Sequence, residues 1–276
     1  MTDKTNLRTN AEVTWCPGCH NFRVLFAVQK IIEEEIRKGK KKEDFAIVCG
    51  IGCHAKIFDY LDLPGINTLH GRVTPTCLGM KLAKPDLTVL GFSGDGDAYA
   101  EGMEHLIHMS RYNSNFKYLV SNNQVFALTL GQPTPTTELE YIDKTNPSGN
   151  KLTPLNPVKL MLSVGASFVA RIGSDIEGIK EVLTEAMRHK GFAYIEILQP
   201  CIIFHNSTNY QKRFYNIQKE GHDKTNLANA LIKAEEFDYN SKDSRIPVGI
   251  FYQKEKITFE ELILEKRKNF KHLNNI

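Results

Sequence analysis

The sequence predicts an α/β fold in which helices flank a mostly parallel sheet. Three runs, Phe45–Cys49, residues 87–92 and Ala193–Pro200, have the length and composition of buried strands. Residues 22–37 and 101–113 instead carry apolar side chains at helical spacing. Strands that alternate with helices are typical of a parallel sheet, because each crossover between parallel strands carries a helix.

The remaining elements continue this pattern toward the C-terminus. Strands are predicted at residues 118–120, 167–172 and 248–252, and helices at Ile176–Arg188 and residues 227–237. After residue 201 the periodicity weakens, and the chain ends in a charged tail. We therefore predict an α/β domain over residues 1–201 and an irregular extension over residues 202–276 that packs on this domain or on a partner subunit.

Several apolar positions are expected to be core and nothing more. The stripe on the first helix consists of Phe22, Leu25, Phe26, Ile32 and Ile36. Cys49, inside the first strand, and Cys77 are expected to be small buried hydrophobic residues.

Composition limits the classes of function. Hydrophobic residues make up 41% and charged residues 24% of the chain, as in ordinary globular proteins. A net charge of +3 without a concentrated basic stripe argues against binding of nucleic acid. No apolar run approaches the roughly 20 residues of a membrane span, and the polar N-terminus does not resemble a signal peptide. We expect a cytoplasmic protein without a membrane partner, whose cysteines are not in disulfides.

Hard oxygen ligands follow two successive strands. Asp95 lies in Gly-Asp-Gly-Asp after the second apolar run, and Asn123 closes the pair that follows residues 118–120. The carboxyl ends of neighbouring parallel strands meet at one edge of a sheet, where such folds bind ligands. Asp-Gly and Asn-Asn are each common in turns, but this joint arrangement favours a site. With the carbonyl of Val125, these oxygens suit Mg²⁺ that holds a diphosphate.

Three further segments are candidates for the same site. Gly50-Ile51-Gly52-Cys53 follows the first strand, where glycines let a ligand approach the backbone. His70 precedes Gly71-Arg72 and is equally compatible with a buried structural histidine. The loop of residues 129–137 is rich in Pro and Thr, and its hydroxyl groups are suited to cover a phosphate.

Four cysteines are candidates for a metal centre. Cys16 and Cys19 form a Cys-Pro-Gly-Cys turn that directs two sulfurs at one point, while Cys53 and Cys201 follow predicted strands. Such a set suits a [4Fe–4S] cluster. A Zn(Cys)₄ site competes, although only one of its two usual Cys-x-x-Cys knuckles is present. A thioredoxin-type redox pair uses the same spacing.

Taken together, these motifs resemble a known family. The chain contains, in order, Trp15-Cys-Pro-Gly-Cys19, Gly50-Ile-Gly-Cys53, His70-Gly-Arg72, Gly94-Asp-Gly-Asp97, Asn122-Asn123, Gly131-Gln132 with Pro135-Thr-Thr137, Leu198-Gln-Pro-Cys201 and Ile246-Pro-Val-Gly-Ile-Phe-Tyr252. This series resembles the β subunit of the 2-oxoacid:ferredoxin oxidoreductases over nearly the whole chain. The resemblance implies a thiamine diphosphate-binding fold.

The resemblance also implies roles for individual residues. The cluster ligands would be Cys16, Cys19, Cys53 and Cys201, and the Mg²⁺ ligands Asp95, Asn123 and Val125. The cofactor would contact Ile51, Gly52, Cys53, His70, Gly94, Asp95, Gly96, Asp97, Asn123, Val125 and Thr129. Lys56 and His70 are the expected catalytic residues, with Lys56 facing the cofactor or the substrate carboxylate.

The implied activity is the coenzyme A-dependent oxidative decarboxylation of a 2-oxoacid, with electrons passing through the cluster to ferredoxin. Because the chain has no second α/β domain for the aminopyrimidine ring, we expect a heteromer with an α subunit, or a fused αγ subunit, that lends an activating glutamate. Its form would be α₂β₂-like or larger.

The chain departs from the family pattern at His20, Glu101, Met103 and Leu130. A leucine at position 130, on the loop expected to cover the cofactor, favours a neutral or apolar substrate end. This residue therefore favours a pyruvate-like acid over 2-oxoglutarate. Two other classes of function remain open from the residues alone, namely a non-redox thiamine-dependent decarboxylase subunit with structural zinc and a zinc-stabilised binding module.

Overall fold

A computed structural model of the chain describes residues 6–205 and 210–265. The strands are β1 Phe45–Cys49, β2 Gly65–Asn67, β3 Thr88–Gly94, β4 Lys117–Asn122, β5 Val125–Phe126, β6 Gln132–Pro133, β7 Phe168–Gly173, β8 Ala193–Leu198, β9 Phe214–Asn216 and β10 Ile246–Gln253. The α-helices are α1 Asn21–Arg37, α2 Ile57–Tyr60, α3 Val73–Ala83, α4 Met103–Tyr112, α5 Pro157–Ser163, α6 Ile176–Arg188, α7 Tyr210–Arg213 and α8 Leu227–Glu235.

Eight strands form one mostly parallel sheet in the order β2-β1-β3-β4-β8-β7-β10-β9. The pairs from β2 to β7 are parallel, whereas β10 runs antiparallel to β7. Strands β4, β7 and β8 are buried along their whole length, because helices cover both faces of the sheet. The predicted architecture of a parallel sheet flanked by helices is confirmed.

The two faces of the sheet carry separate apolar clusters. One cluster packs beneath α1 and α6 and includes Val28, Ile47 and Val182. The other lies on the opposite face and includes Leu106 and Met161, from α4 and α5. The bounds predicted for β1 and α6 agree with the structure, whereas β8 ends at Leu198, two residues before the predicted end of that strand. Periodicity alone did not predict β2, α3, α5 or β9, which are short or lack a clear apolar stripe.

The predicted core stripe of α1 is wrong at two positions. Phe22 and Phe26 are each 37% exposed. The helix instead directs Val24, Val28 and Ile31 inward. The reason is that a helix of 17 residues offers more than one apolar row, and the row that packs depends on the position of α6. Cys49 and Cys77 are fully buried, as predicted.

Residues after 201 add strands to the main sheet. Strand β10 pairs with β7, β9 pairs with β10, and α8 packs on α5. Glu260 then accepts hydrogen bonds from Ser114 Oγ and from the Asn115 amide at the opposite end of β4. Residues 206–209 and 266–276 of the predicted extension, which include the charged tail, lie outside the described residues. Within the described ranges, no helix combines the length and apolar character of a membrane span.

Candidate functional site

A pocket lies at the carboxyl ends of β1, β3 and β4. It is lined by Ile51, Gly52, Cys53, His54, His70, Gly94, Asp95, Gly96, Asp97, Asn123, Val125, Phe126, Ala127, Leu128 and Thr129. Every residue predicted to contact a cofactor is in this lining. We call it the diphosphate pocket, after the ligand that its residues predict. The parallel register brings these segments together, because β1 and β4 flank β3 and all three end at this edge.

Asp95 is the buried acid of the diphosphate pocket. Its side chain accepts hydrogen bonds from Thr134 Oγ1 at 2.5 Å and Thr136 Oγ1 at 3.1 Å, and from the Asn123 amide at 3.4 Å. Burial raises the pKa of this carboxyl to about 6, although these hydrogen bonds oppose the rise. A cation next to Asp95 would stabilise its charged form. Thr134 and Thr136 are buried beneath the site, so this part of the Pro- and Thr-rich loop supports Asp95 rather than covering the pocket.

The turn after β4 orients the second oxygen ligand. Asn123 Oδ1 accepts a hydrogen bond from the Val125 amide at 3.0 Å, and Asn122 Oδ1 accepts one from the Gln124 amide at 3.1 Å. Gln124 adopts a left-handed conformation with φ of 62°. These bonds fix the loop that carries both predicted oxygen donors, the Asn123 side chain and the Val125 carbonyl.

A buried ion pair that the sequence did not predict supports this turn through a hydrogen bond to Asn122. Asn122 Nδ2 donates to Glu196 Oε1 at 2.8 Å, and Glu196 Oε2 accepts from Arg171 Nε at 2.7 Å. Both charged side chains are fully buried. Their partners lie on β4, β7 and β8, so only the assembled sheet brings them together.

His70 lies at the rim of the diphosphate pocket and is not a buried structural histidine. Its side chain is 49% exposed, and Nδ1 lies 3.8 Å from Asp97 Oδ1 and 3.6 Å from Glu101 Oε1. Asp97 is buried and accepts a hydrogen bond from the Gly71 amide at 2.8 Å. Gly71 has φ of 66°, and a Cβ there would lie 2.2 Å from the Glu101 carbonyl oxygen, so only glycine fits. The hydrogen bond from the Gly71 amide to Asp97 keeps the neighbouring His70 at the pocket.

The four predicted cluster cysteines line a second pocket, which we call the cysteine pocket. Its lining includes Cys16, Cys19, Cys53 and Cys201, and it shares Cys53, Asn123, Ala127 and Leu128 with the diphosphate pocket. Burial raises the pKa of the Cys53 thiol to about 11, and the neighbouring sulfurs of Cys19 and Cys201 add to the rise. Positive charge in this pocket would favour the thiolates.

The four cysteines line a cavity. Among residues 6–205 and 210–265, no group of three or more His, Cys, Asp or Glu side chains could hold a single metal ion. Lys56 lines this pocket rather than the diphosphate pocket, and its Nζ donates to Thr14 Oγ1 at 2.7 Å.

Polar contacts that sequence reasoning missed fix the segments that carry these sulfurs. Trp15 Nε1 donates to the Cys53 carbonyl at 2.6 Å, and the Phe204 amide donates to Cys201 Sγ at 3.4 Å. The signal for Trp15 was its position beside the Cys-Pro-Gly-Cys turn. His54, also missed, is buried beside Gly94, and burial lowers its pKa to about 3.

Comparison with known proteins adds an independent finding. A family model described as the C-terminal TPP binding domain of thiamine pyrophosphate enzymes matches residues 50–197. A second, described as the C-terminal part of the pyruvate ferredoxin oxidoreductase beta subunit, matches residues 204–268. The 2-oxoacid:ferredoxin oxidoreductase subunit beta of Saccharolobus solfataricus is 37% identical over 275 residues, covering 93% of this chain and 87% of that protein. The chain belongs to the β subunits of the 2-oxoacid:ferredoxin oxidoreductases.

Other members of this β-subunit family carry more specific names. The 2-oxoglutarate synthase subunit KorB of Archaeoglobus fulgidus is 40% identical, over 71% of this chain and 72% of that protein. The 2-oxoglutarate:ferredoxin oxidoreductase from Magnetococcus marinus, solved with 2-oxoglutarate, coenzyme A and succinyl-CoA bound, has a TM-score of 0.88 at 32% identity. The alignment covers 96% of this β subunit and 89% of that chain. The predicted fold and the predicted membership of an oxidoreductase complex are confirmed.

Proposed function

We propose that this β subunit binds thiamine diphosphate with Mg²⁺ in the diphosphate pocket and a [4Fe–4S] cluster in the cysteine pocket. With an α or fused αγ subunit, it would catalyse the coenzyme A-dependent oxidative decarboxylation of a 2-oxoacid and reduce ferredoxin. The observation that carries the proposal is the shared wall of the two pockets, to which Cys53 and Asn123 contribute. A cofactor that must lose electrons then lies next to a group that accepts them.

The diphosphate pocket fits Mg²⁺ and a diphosphate. Asp95, Asn123 and the Val125 carbonyl would supply three oxygens, and phosphate and water the rest of an octahedron. A Cβ at Gly96 would lie 2.1 Å from the Phe126 ring, so glycine keeps the backbone close to this wall. When bound, thiamine diphosphate supplies the nucleophilic carbon and the electron sink for decarboxylation.

The cysteine pocket fits a cluster better than a single zinc ion. Structural zinc needs its sulfurs at about 2.3 Å from one centre. The described residues contain no such convergent group, whereas thiols spread around a cavity suit the separate irons of a cluster. This geometry favours the redox enzyme over the zinc-containing alternatives. When bound, the cluster supplies a one-electron acceptor.

His70 and Lys56 are the proposed catalytic residues of this chain. The His70 imidazole lies at the rim of the diphosphate pocket, with Nδ1 3.8 Å from Asp97 Oδ1, and is the proposed group for proton exchange with a ligand there. Lys56 Nζ, held by Thr14, would place a positive charge next to the cysteine pocket and attract a carboxylate or a reduced cluster.

The names of relatives favour 2-oxoglutarate as the substrate. The expected preference for a pyruvate-like acid rested on Leu130, which is 63% exposed and does not line either pocket. We therefore propose 2-oxoglutarate as the first substrate to test. Initial rates would be measured across a panel of 2-oxoacids that includes pyruvate. A clear preference for pyruvate would contradict this choice and restore the interpretation based on Leu130.

The site is proposed to be completed by the α subunit. Leu69, Leu128, Leu130 and Ile203 expose between 52% and 78% of their surface near the two pockets, as expected of a face that a partner covers. We expect the isolated chain, loaded with cluster, Mg²⁺ and thiamine diphosphate, to reduce an artificial acceptor far more slowly than the chain with its partner. Equal rates would refute a shared site.

The cluster is tested by spectroscopy on anaerobically purified protein. Visible absorbance that dithionite bleaches, with matching iron and sulfide contents, would support it, whereas a colourless protein containing zinc would refute it. Replacing any of Cys16, Cys19, Cys53 and Cys201 by alanine should lower the iron content. The matched control is Cys49→Ala, which should cost about 1–3 kcal/mol of stability and retain the iron.

A further inference from the structure

The carboxylate of Glu138 joins a segment of the cysteine pocket to a segment of the diphosphate pocket. His205 Nε2 donates to this carboxylate and lies 3.0 Å from Oε1 and 2.9 Å from Oε2. Gln124 Nε2 donates to the same Oε2 at 3.2 Å. A carboxylate accepts both bonds at once, because its two oxygens are acceptors only. Glu138 itself lines neither pocket.

On one side, Glu138 holds the turn that begins at Cys201. The His205 amide closes this turn by donating to the Cys201 carbonyl at 3.0 Å. Inside the turn, the Phe204 amide donates to Cys201 Sγ at 3.4 Å. Tyr141 Oη donates to the Phe204 carbonyl at 3.1 Å. The direction of the Phe204 N–H toward the sulfur therefore depends on the side chains that anchor the turn, and His205 is the anchor at its end.

On the other side, Glu138 holds the turn that carries the oxygen donors. Gln124 is 1% exposed and lies between Asn123 and Val125 in a left-handed conformation. Its Nε2 also donates to the Thr136 carbonyl at 2.9 Å, and the hydroxyl group of Thr136 donates to Asp95. The Gln124 side chain thus fixes the turn against the segment that supports Asp95.

We propose that Glu138 is a positioning residue shared by the two pockets. Through His205 it directs the Phe204 amide at the Cys201 sulfur, and through Gln124 it fixes the turn with the Mg²⁺ ligands. This inference rests on the proposed function, because it requires the cluster at Cys201.

Each of the two connections of Glu138 has its own measurable consequence. Hydrogen bonds to ligand sulfur stabilise negative charge, and the reduced cluster carries one more negative charge than the oxidised one. Loss of the Phe204 N–H from the sulfur therefore lowers the reduction potential. Loss of the Gln124 anchor leaves Asn123 and Val125 less well oriented, so thiamine diphosphate with Mg²⁺ binds more weakly.

Three variants separate the two connections. Glu138→Ala removes both, His205→Leu removes only the connection to the Cys201 turn, and Gln124→Met removes only the connection to the Mg²⁺ turn. The matched control is Glu140→Ala, because Glu140 lies two residues away, is exposed and pairs with Lys151.

The experiment uses the full-length chain, purified anaerobically with its α subunit. It measures iron and sulfide contents, the midpoint potential of the cluster by redox titration, and the binding of thiamine diphosphate with Mg²⁺ by fluorescence titration. We expect Glu138→Ala to lower the potential and weaken binding. His205→Leu should lower only the potential, Gln124→Met should weaken only binding, and Glu140→Ala should change neither.

A purely structural role would lower thermal stability and leave both readouts unchanged. A wild-type potential or wild-type binding in Glu138→Ala would overturn the inference. If Glu138→Ala does not fold, the other two variants decide, and a wild-type potential in His205→Leu or wild-type binding in Gln124→Met would overturn it. A wild-type protein without iron would instead overturn the proposed function, and the inference with it.

Discussion

Stability and metal binding are expected to oppose each other at Asp95. The side chain is 2% exposed, and burial raises its pKa from 3.8 to about 6. In the metal-free chain the ionised carboxylate is therefore less stable than a neutral group at this position. We expect Asp95→Asn to stabilise the metal-free chain at pH 8 and to abolish Mg²⁺-dependent binding of thiamine diphosphate. The hydroxyl groups of Thr134 and Thr136 can rotate to accept hydrogen bonds from the new amide.

The magnitude follows from the difference in pKa. A rise from 3.8 to about 6 corresponds to about 3 kcal/mol at roughly 1.36 kcal/mol per unit. Because the folded-state pKa lies above the unfolded one, the penalty is absent below about pH 4, grows up to about pH 6 and is complete above it. At about 2–4 °C per kcal/mol for chains of 150–250 residues, the variant should unfold roughly 6–12 °C higher at pH 8.

The assay compares thermal unfolding of metal-free wild type and Asp95→Asn at pH 8 and about pH 3.5, where the difference should nearly vanish. Fluorescence titration with thiamine diphosphate and Mg²⁺ reports binding. The control is Asp143→Asn, because this exposed carboxyl has a pKa lowered by its hydrogen bond from Thr145, and no stabilisation is expected. The reasoning is refuted if Asp95→Asn unfolds at a lower temperature at pH 8 or binds the cofactor as the wild type does.

Three further predictions concern the supports of the two pockets. Glu196→Ala leaves the Arg171 guanidinium buried without its carboxylate, and denaturant midpoints should show a loss of about 3–5 kcal/mol; a loss under about 1 kcal/mol would contradict the buried ion pair. Gly71→Ala should weaken binding of thiamine diphosphate, because its Cβ would lie 2.2 Å from the Glu101 carbonyl oxygen, whereas Gly79→Ala has open space and should leave titration curves unchanged. Glu138→Gln weakens the 2.9 Å hydrogen bond between Glu138 Oε2 and His205 Nε2, which connects residue 138, next to the Thr-rich loop, to residues 201–205, so a chelator should remove iron faster. The exposed Glu140→Gln is the control, and equal rates would argue against this connection.

The sequence alone determined the sheet strands with clear apolar runs and the residues that end them. Strand ends, glycines and oxygen ligands are local features, and the parallel arrangement then requires that Asp95 and Asn123 meet at one edge. For the same reason all the predicted cofactor contacts line a single pocket. The four cysteines could be grouped in advance because three short motifs lie at, or next to, that edge.

Only the tertiary structure decided what surrounds these groups. The Gln199–Asn21 hydrogen bond joins residues 178 positions apart, and the Arg171–Glu196 pair joins neighbouring strands whose spacing in sequence carries no signal. The burial of Thr136 beneath Asp95 and the exposure of Phe22 on α1 likewise depend on which faces pack together. The periodic pattern of apolar residues indicates which side chains are expected to be buried. It does not indicate which residues they contact, because contacts between distant segments form only once the sheet and its helices have assembled.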